Sequence, residues 1–190
     1  DSLINHEELD SCTILQIDDQ ALDGWAEIFK EIIFGKNQNK AEDFYVLNFD
    51  SKIKEGENIS DKISNLIKFI QNKYKLGSPD LILLDLRIFP SYDSTVGINI
   101  SEISGIKLLK KIRTNYPEIP VIITTASNKI WSLKEIIQSG ADGYWIKEGL
   151  DDSFSYENSL INYQEFITLV TKISDGKYRK FKEFGSNVKK

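Results

Sequence analysis

The sequence predicts an α/β fold, a five-stranded parallel sheet covered by helices on both faces. Five short apolar runs alternate with segments of helical periodicity, an order typical of parallel strands joined by helices. The third run, LILLD, is apolar almost throughout, as expected for a strand buried on both of its faces. With 190 residues, of which 41% are hydrophobic and 28% charged, the chain can bury one full core.

The elements follow from the apolar pattern. The predicted strands are residues 13–17, 44–49, 81–85, 121–125 and 143–146. Apolar residues at three- and four-residue spacing predict five helices, marked by Leu22, Trp25, Phe29 and Ile32; by Ile59, Ile63, Leu66, Ile67, Ile70 and Tyr74; by Ile106, Leu109 and Ile112; by Leu133, Ile136 and Ile137; and by Leu160, Phe166, Ile167, Val170 and Ile173. Gly140 is expected to cap the fourth helix. Residues 86–104 are predicted to be irregular.

Composition excludes several classes of function. The net charge of −5 argues against nucleic-acid binding by the whole domain. The only histidine, His6, lies in a polar leader, which argues against His-dependent catalytic triads. The single Cys12 allows no internal disulfide and favours a cytoplasmic location. No apolar run reaches 18 residues and no secretory leader is visible, so we expect neither a membrane span nor a signal peptide.

We expect three segments: a leader at 1–12, one domain at 13–173, and a basic tail or linker at 174–190. The start at Asp1 and the lack of methionine favour a domain excised from a longer chain.

Polar residues collect where the predicted strands end. Asp18 and Asp19 follow the first strand, Asp85 ends the third, Thr125 ends the fourth and Lys147 follows the fifth. In such sheets, function gathers at the carboxyl edge of the strands. Clustered carboxylates repel unless a cation such as Mg²⁺ neutralises them. An acid held there can accept a phosphoryl group, which a lysine and a hydroxyl can stabilise.

The motifs IDDQ, LLDLR, PVIITTA and GADGYWIK resemble those of receiver domains in bacterial two-component response regulators of the chemotaxis-regulator type. The resemblance runs from about residue 13 to 147. It implies a flavodoxin-like sheet of order 2-1-3-4-5, with Asp85 as the phosphoacceptor. By the same resemblance, Asp18 and Asp19 bind Mg²⁺ together with Asp85 and the backbone carbonyl of Arg87. Thr125 would be the switching hydroxyl, Lys147 the phosphate-binding lysine and Tyr144 the aromatic residue that follows the switch.

The function implied is a switch, not an enzyme, since a receiver catalyses only its own phosphorylation and dephosphorylation. A sensor histidine kinase, a phosphotransfer protein or a small phosphodonor would supply the phosphoryl group. A downstream protein, a fused output domain or a second copy of the chain would respond. Neither a membrane nor nucleic acid is an expected partner.

The chain departs from the family pattern in several places. Insertions are expected near residues 50–60 and 88–104, and residues 149–159 delay the last helix. Glu148 stands where the family has proline, and Arg87 and Ser127 lie where side chains tune water access. Two alternatives remain open: a pseudo-receiver that binds partners without phosphorylation, and a haloacid-dehalogenase-type phosphatase. The phosphatase would need a second acid at the position of Arg87.

Overall fold

The sheet has the predicted architecture. The computed structural model describes residues 12–35, 44–47, 58–73, 79–95, 99–126, 131–147, 156–174 and 184. Its strands are β1 (Ile14–Ile17), β2 (Phe44–Val46), β3 (Leu81–Asp85), β4 (Val121–Thr125) and β5 (Gly143–Ile146). All pairings are parallel and the order is β2-β1-β3-β4-β5, so the predicted flavodoxin-like fold is confirmed.

Two layers of helices cover the sheet. The helices are α1 (Trp25–Phe34), α2 (Ile59–Lys73), α3 (Pro90–Asp93), α4 (Ser104–Asn115), α5 (Trp131–Gln138) and α6 (Tyr156–Ser174). Phe29 of α1 and Phe166 of α6 pack on one face of the sheet. Leu66 of α2, Leu109 of α4 and Ile136 of α5 pack on the other face. The central strand β3 is therefore buried along its whole length.

Some predicted boundaries and apolar faces were wrong. Strand β2 ends at Val46 rather than at residue 49. Leu22 lies in a 3-10 turn and is 67% exposed, because Gly24, with φ of 117°, separates that turn from α1. Ile137 and Leu160 are also exposed, since the packed stripe of α5 runs through Ile136 and that of α6 through residues such as Phe166.

The long connection after β3 is more ordered than predicted. It contains α3 and a 3-10 turn at Ile100–Glu102. The Asp93 carboxylate, which is buried, accepts hydrogen bonds from the backbone N–H of Ser104 at 2.7 Å and from its hydroxyl at 2.6 Å. The Ser104 hydroxyl oxygen also accepts a bond from the backbone N–H of Phe89, at 3.2 Å. These bonds join the two ends of the connection. Residues 96–98 lie outside the described part of the chain.

Gly140 ends α5 as predicted. Its φ of 101° is left-handed, and its N–H donates to the Ile137 carbonyl oxygen while the N–H of Ala141 donates to that of Ile136. This pair of bonds is the Schellman arrangement of a helix end.

Several predictions concern residues that the structure does not describe. They are the leader with His6, Tyr74, most of the 50–60 insertion, Ser127, the peptide bond to Glu148, most of 149–159 and nearly all of the tail.

Candidate functional site

Asp85 lies at the carboxyl end of the central strand and is only 6% exposed. Its carboxylate contacts the Lys147 ammonium at 2.6 Å and accepts a hydrogen bond from the backbone N–H of Arg87 at 2.6 Å. Burial raises the pKa of Asp85, and the charge of Asp18 raises it further. Lys147 and the Arg87 N–H lower it, but the net direction is upward. The Asp85 carboxylate is thus buried and held by two donors, and its raised pKa means that its surroundings disfavour the charged form.

Lys147 joins two of the predicted acids. Its backbone N–H donates to the Thr125 carbonyl oxygen at 2.7 Å, which continues the β4–β5 pairing past the end of β5. Its ammonium is 2.6 Å from a carboxylate oxygen of Asp85 and 3.1 Å from one of Asp18. Burial would lower the pKa of Lys147, but the two carboxylates outweigh it and the pKa is raised. The Trp25 ring centroid lies 5.1 Å from the same nitrogen, within cation–π distance.

The two acids after β1 occupy different environments. The side chain of Asp18 is buried and accepts hydrogen bonds from the Gln16 amide at 3.3 Å and the Gln20 backbone N–H at 3.0 Å. Asp19 is exposed at the rim of the site. Partial desolvation and the charges of Asp85 and Asp18 together raise the pKa of Asp19 to about 6. The sequence suggested an equivalent pair of acids, whereas the structure buries Asp18 and leaves Asp19 exposed at the edge of the site.

A cavity of about 360 Å³ opens onto this group. It is lined by Asp19, Gln20, Asp85, Arg87, Pro90, Thr125, Ala126 and Lys147. Five of these are residues that the sequence singled out as site candidates. Pro90 was not predicted, because only the folding of the long connection brings it to the cavity.

Tyr144 lies away from the cavity lining. Its side chain is 37% exposed on β5. Because Tyr144 pairs with Ile123, it lies on the same face of the sheet as Thr125, two residues further along β4. The predicted switch residues are therefore diagonal neighbours on adjacent strands.

Two further residues at the site were missed by sequence reasoning. Gln16 is fully buried and Trp25 is 7% exposed, and both contact predicted site residues. The signal for Gln16 was its polarity inside the apolar run TILQI. Trp25 carried no such signal, because a tryptophan at helical spacing is ordinarily a packing residue.

Negative charge exceeds positive charge at the site. The site holds three acids, Asp18, Asp19 and Asp85. Its two basic residues are Lys147, which contacts Asp18 and Asp85, and Arg87, which lines the cavity. Across the described residues, however, no three Asp, Glu, His or Cys side chains form a ready set of metal ligands. In this arrangement the Lys147 ammonium contacts both Asp18, at 3.1 Å, and Asp85, at 2.6 Å. Nor is any helix in the described part of the chain long and apolar enough to cross a bilayer.

Comparison with known proteins identifies the family. The family model of the response regulator receiver domain matches residues 55–154, a little over half of the chain. The chain belongs to the response regulator receiver domain family. The matched range includes Asp85, Thr125 and Lys147, and it begins after Asp18 and Asp19. The predicted family is confirmed, and this is a receiver domain of the two-component type.

The receiver domain is also similar to individual proteins. It is 38% identical over 68 residues to the transcriptional regulatory protein ZraR of Klebsiella oxytoca, a match that covers 36% of this chain and 13% of ZraR. The receiver domain of NtrX from Brucella abortus is 16% identical, with a TM-score of 0.45, and the match covers 82% of this chain and 98% of that one. The Mn²⁺-bound response regulator Rcp1 is 17% identical, with a TM-score of 0.48, and the match covers 86% of this chain and 94% of the Rcp1 chain.

Proposed function

We propose that this receiver domain is a switch controlled by phosphorylation of Asp85. One observation carries the proposal: a buried carboxylate at the end of the central strand faces an open cavity and contacts a buried lysine at 2.6 Å. A charge in that position is costly unless it has a chemical role or compensating partners. The arrangement suits an aspartate that accepts a phosphoryl group from a phosphohistidine or from a small phosphodonor.

In the proposed transfer, Asp85 is the nucleophile and the residues around it position the reacting groups and stabilise charge. A carboxylate oxygen of Asp85 attacks the phosphorus of the donor, and a new O–P bond forms. The bond from phosphorus to the donor nitrogen or oxygen breaks, and the leaving group keeps its electron pair. Lys147 can then donate to a phosphoryl oxygen, and the Thr125 hydroxyl can donate to another. The backbone nitrogen of Arg87 lies 2.6 Å from Oδ2 of Asp85, and its N–H orients the nucleophile.

The acids at this site suit Mg²⁺. Receiver domains generally bind this ion, and Mg²⁺ in proteins commonly uses one or two carboxylates, further oxygens and water. Asp18, Asp19 and Asp85 offer carboxylates, and we assign the backbone carbonyl of Arg87 as a further ligand. The raised pKa of Asp19 and of Asp85 reflects negative charge that a cation would relieve. When bound, the ion would neutralise charge on the phosphoryl group during transfer.

The response is proposed to pass through Thr125 and Tyr144. If Thr125 moves toward a phosphoryl group on Asp85, it vacates space on the face of the sheet that it shares with Tyr144. The exposed Tyr144 ring can then turn inward, which alters the outer surface of β5 and its neighbouring helices. Such a change is a local electrostatic event that biases a two-state element.

The input and output belong to the same proposal. A sensor histidine kinase or phosphotransfer protein would supply the phosphoryl group, and a downstream protein, a fused output domain or a second copy would respond. We infer a regulatory role in which the domain, residues 13–173, catalyses only its own phosphorylation and dephosphorylation.

The test is phosphorylation of the purified protein by acetyl phosphate and Mg²⁺, followed by intact mass. We expect the mass of one phosphoryl group to be added to the wild type and not to Asp85→Asn. Asp23→Asn is the matched control, since Asp23 is an exposed acid outside the cavity lining. Beryllofluoride should change tryptophan emission in the same Asp85-dependent way, because Trp25 lies against Lys147.

A wild type that neither gains mass nor responds to beryllofluoride would contradict the switch and favour the pseudo-receiver. Phosphorylation that persists in Asp85→Asn would place the acceptor at another residue.

A further inference from the structure

Gln16 is an unusual residue for the middle of a buried strand. Its side chain is fully buried, and its sheet neighbours are Val46 on β2 and Leu83 on β3. A primary amide in apolar surroundings costs free energy unless its donors and acceptors are paired. Within the described part of the chain, the Gln16 carbonyl oxygen Oε1 has no hydrogen-bond partner. A leucine would fit this strand at lower cost, so the amide needs an explanation outside the stability of the fold.

The other end of the amide provides that explanation. Gln16 Nε2 donates to Oδ2 of Asp18 at 3.3 Å, the same oxygen that lies 3.1 Å from the Lys147 ammonium. The other oxygen, Oδ1, accepts from the Gln20 backbone N–H at 3.0 Å. Asp18 is therefore held by one charged and two neutral donors. The neutral donors fix the direction of the carboxylate without cancelling its charge.

We propose that Gln16 is a positioning residue that orients Asp18 for a divalent cation such as Mg²⁺. The inference rests on the proposed function, in which Asp18 offers a carboxylate to Mg²⁺ and Lys147 donates to a phosphoryl oxygen. In that state the Lys147 ammonium would turn from Asp18 to the phosphoryl group. When the Lys147 ammonium no longer contacts Asp18, the Gln16 amide is the remaining side-chain donor to Asp18 Oδ2 in the described part of the chain. Hydrogen-bond partners of this kind orient metal ligands, and their loss typically weakens metal affinity about 10–100-fold.

The test is Gln16→Leu, which keeps approximate volume and removes the amide. We expect Mg²⁺ affinity, measured by tryptophan emission and by the Mg²⁺-dependent shift in Tm, to fall about 10-fold. In metal-free buffer, Tm should stay equal or rise, because the unpaired Oε1 is removed. Excess Mg²⁺ should restore the rate of phosphorylation by acetyl phosphate. Gln164→Leu is the matched control, since Gln164 is exposed on α6, lies outside the cavity lining and should keep wild-type affinity.

Gln16→Met, which is unbranched, is the second variant if Gln16→Leu packs poorly. Wild-type affinity in either folded variant would overturn the positioning role. A parallel loss of affinity and of metal-free Tm in both variants would also overturn it, since Gln16 would then support the fold. Absence of Mg²⁺ binding by the wild type would instead overturn the proposed function on which the inference rests.

Discussion

The three acids of the site differ in burial and in their contacts with Lys147. Asp18 and Asp85 are buried and contact Lys147, whereas Asp19 is exposed and has the weakest compensation. The pKa of Asp19 is raised to about 6 from 3.8 by partial desolvation and by the charges of Asp85 and Asp18. Ionisation of Asp19 therefore opposes folding of the metal-free protein. Its unfavourable effect is absent below about pH 3.8 and develops as the pH rises through about 6.

Replacing Asp19 by Asn should stabilise the metal-free protein at pH 7 and weaken Mg²⁺ binding. Because Asp19 is exposed, solvent screening limits the gain to about 1 kcal/mol, which corresponds to a rise in Tm of about 2–4 °C for a chain of this size. Thermal melts in EDTA at pH 7 and at pH 4 would measure it. The gain should shrink at the lower pH, where Asp19 is largely protonated. An equal gain in Tm at pH 7 and pH 4 would mean that charge repulsion at Asp19 is not the cause of the stabilisation.

At the scale of elements, helix α4 packs directly on the backbone that follows Asp85. A Cβ at Gly105 would lie 2.3 Å from the Asp85 carbonyl oxygen and 2.5 Å from that of Leu86. The Gly105 N–H donates to the Leu86 carbonyl oxygen at 3.1 Å. This approach fixes the start of α4 relative to Asp85, and only glycine permits it.

Gly105→Ala should therefore lower the free energy of unfolding by about 3 kcal/mol, as expected for overpacking against fixed backbone atoms. Urea unfolding followed by circular dichroism would measure the loss. Lys110→Ala, an exposed change on the same helix, is the control and should stay within about 0.5 kcal/mol of wild type. Equal stability of Gly105→Ala and wild type would show that α4 can move away from β3 without cost.

The connection between β3 and α4 depends on Asp93. Its buried carboxylate accepts two hydrogen bonds from Ser104, and its loss would leave those donors unpaired. We expect Asp93→Ala to lower the free energy of unfolding by about 2–3 kcal/mol. Hydrogen exchange of the Ser104 amide should also accelerate. Asp23→Ala, the control, removes an exposed acid and should change neither the free energy of unfolding nor the exchange rate. Slow exchange of the Ser104 amide in Asp93→Ala would contradict the role of Asp93 in holding the connection.

At the scale of the whole molecule, Arg113 connects three parts of the fold. From α4 it donates to the carbonyl oxygen of Gly140 at 2.6 Å, to that of Ile119 and to the Asp142 carboxylate. That carboxylate also accepts from the Val121 N–H at 2.7 Å. The network joins the end of α4 to the segments that precede β4 and β5, at the edge of the sheet opposite the candidate site.

Arg113→Met should lower the free energy of unfolding by about 3–5 kcal/mol, because it leaves the nearly buried Asp142 carboxylate without its charged partner. Lys30→Met breaks the surface pair between Lys30 and Glu27 and should cost less than about 0.5 kcal/mol. Chemical unfolding of the two variants under identical conditions gives the comparison. Phosphorylation of residual folded Arg113→Met should remain normal, since the network lies far along the sheet from Asp85.

Much of this molecule follows from the sequence alone. The apolar runs predicted the bounds of β3, β4 and β5. For β3 the reason is that a central parallel strand, buried on both faces, needs a nearly unbroken apolar run. Strand–helix alternation predicted the layered fold, and the parallel direction of the strands placed Asp85, Thr125 and Lys147 at one edge of the sheet. The failures fall where local pattern competes with packing. Leu22 and Ile137 have helical spacing, but their exposure depends on which stripe of each element reaches the sheet.

What the tertiary structure alone decided is how the charges at the site are arranged. The sequence gives Asp18 and Asp19 the same chemistry, yet the chain leaves β1 so that one carboxylate points into the site and the other stays at its rim. Lys147 lies 129 positions from Asp18 and reaches it only because β5 and β1 end at the same edge. Burial and distance set the electrostatics, and both depend on contacts between residues far apart in sequence. The sequence therefore determined which residues meet at this edge, and the fold determined which of them are buried and which are paired.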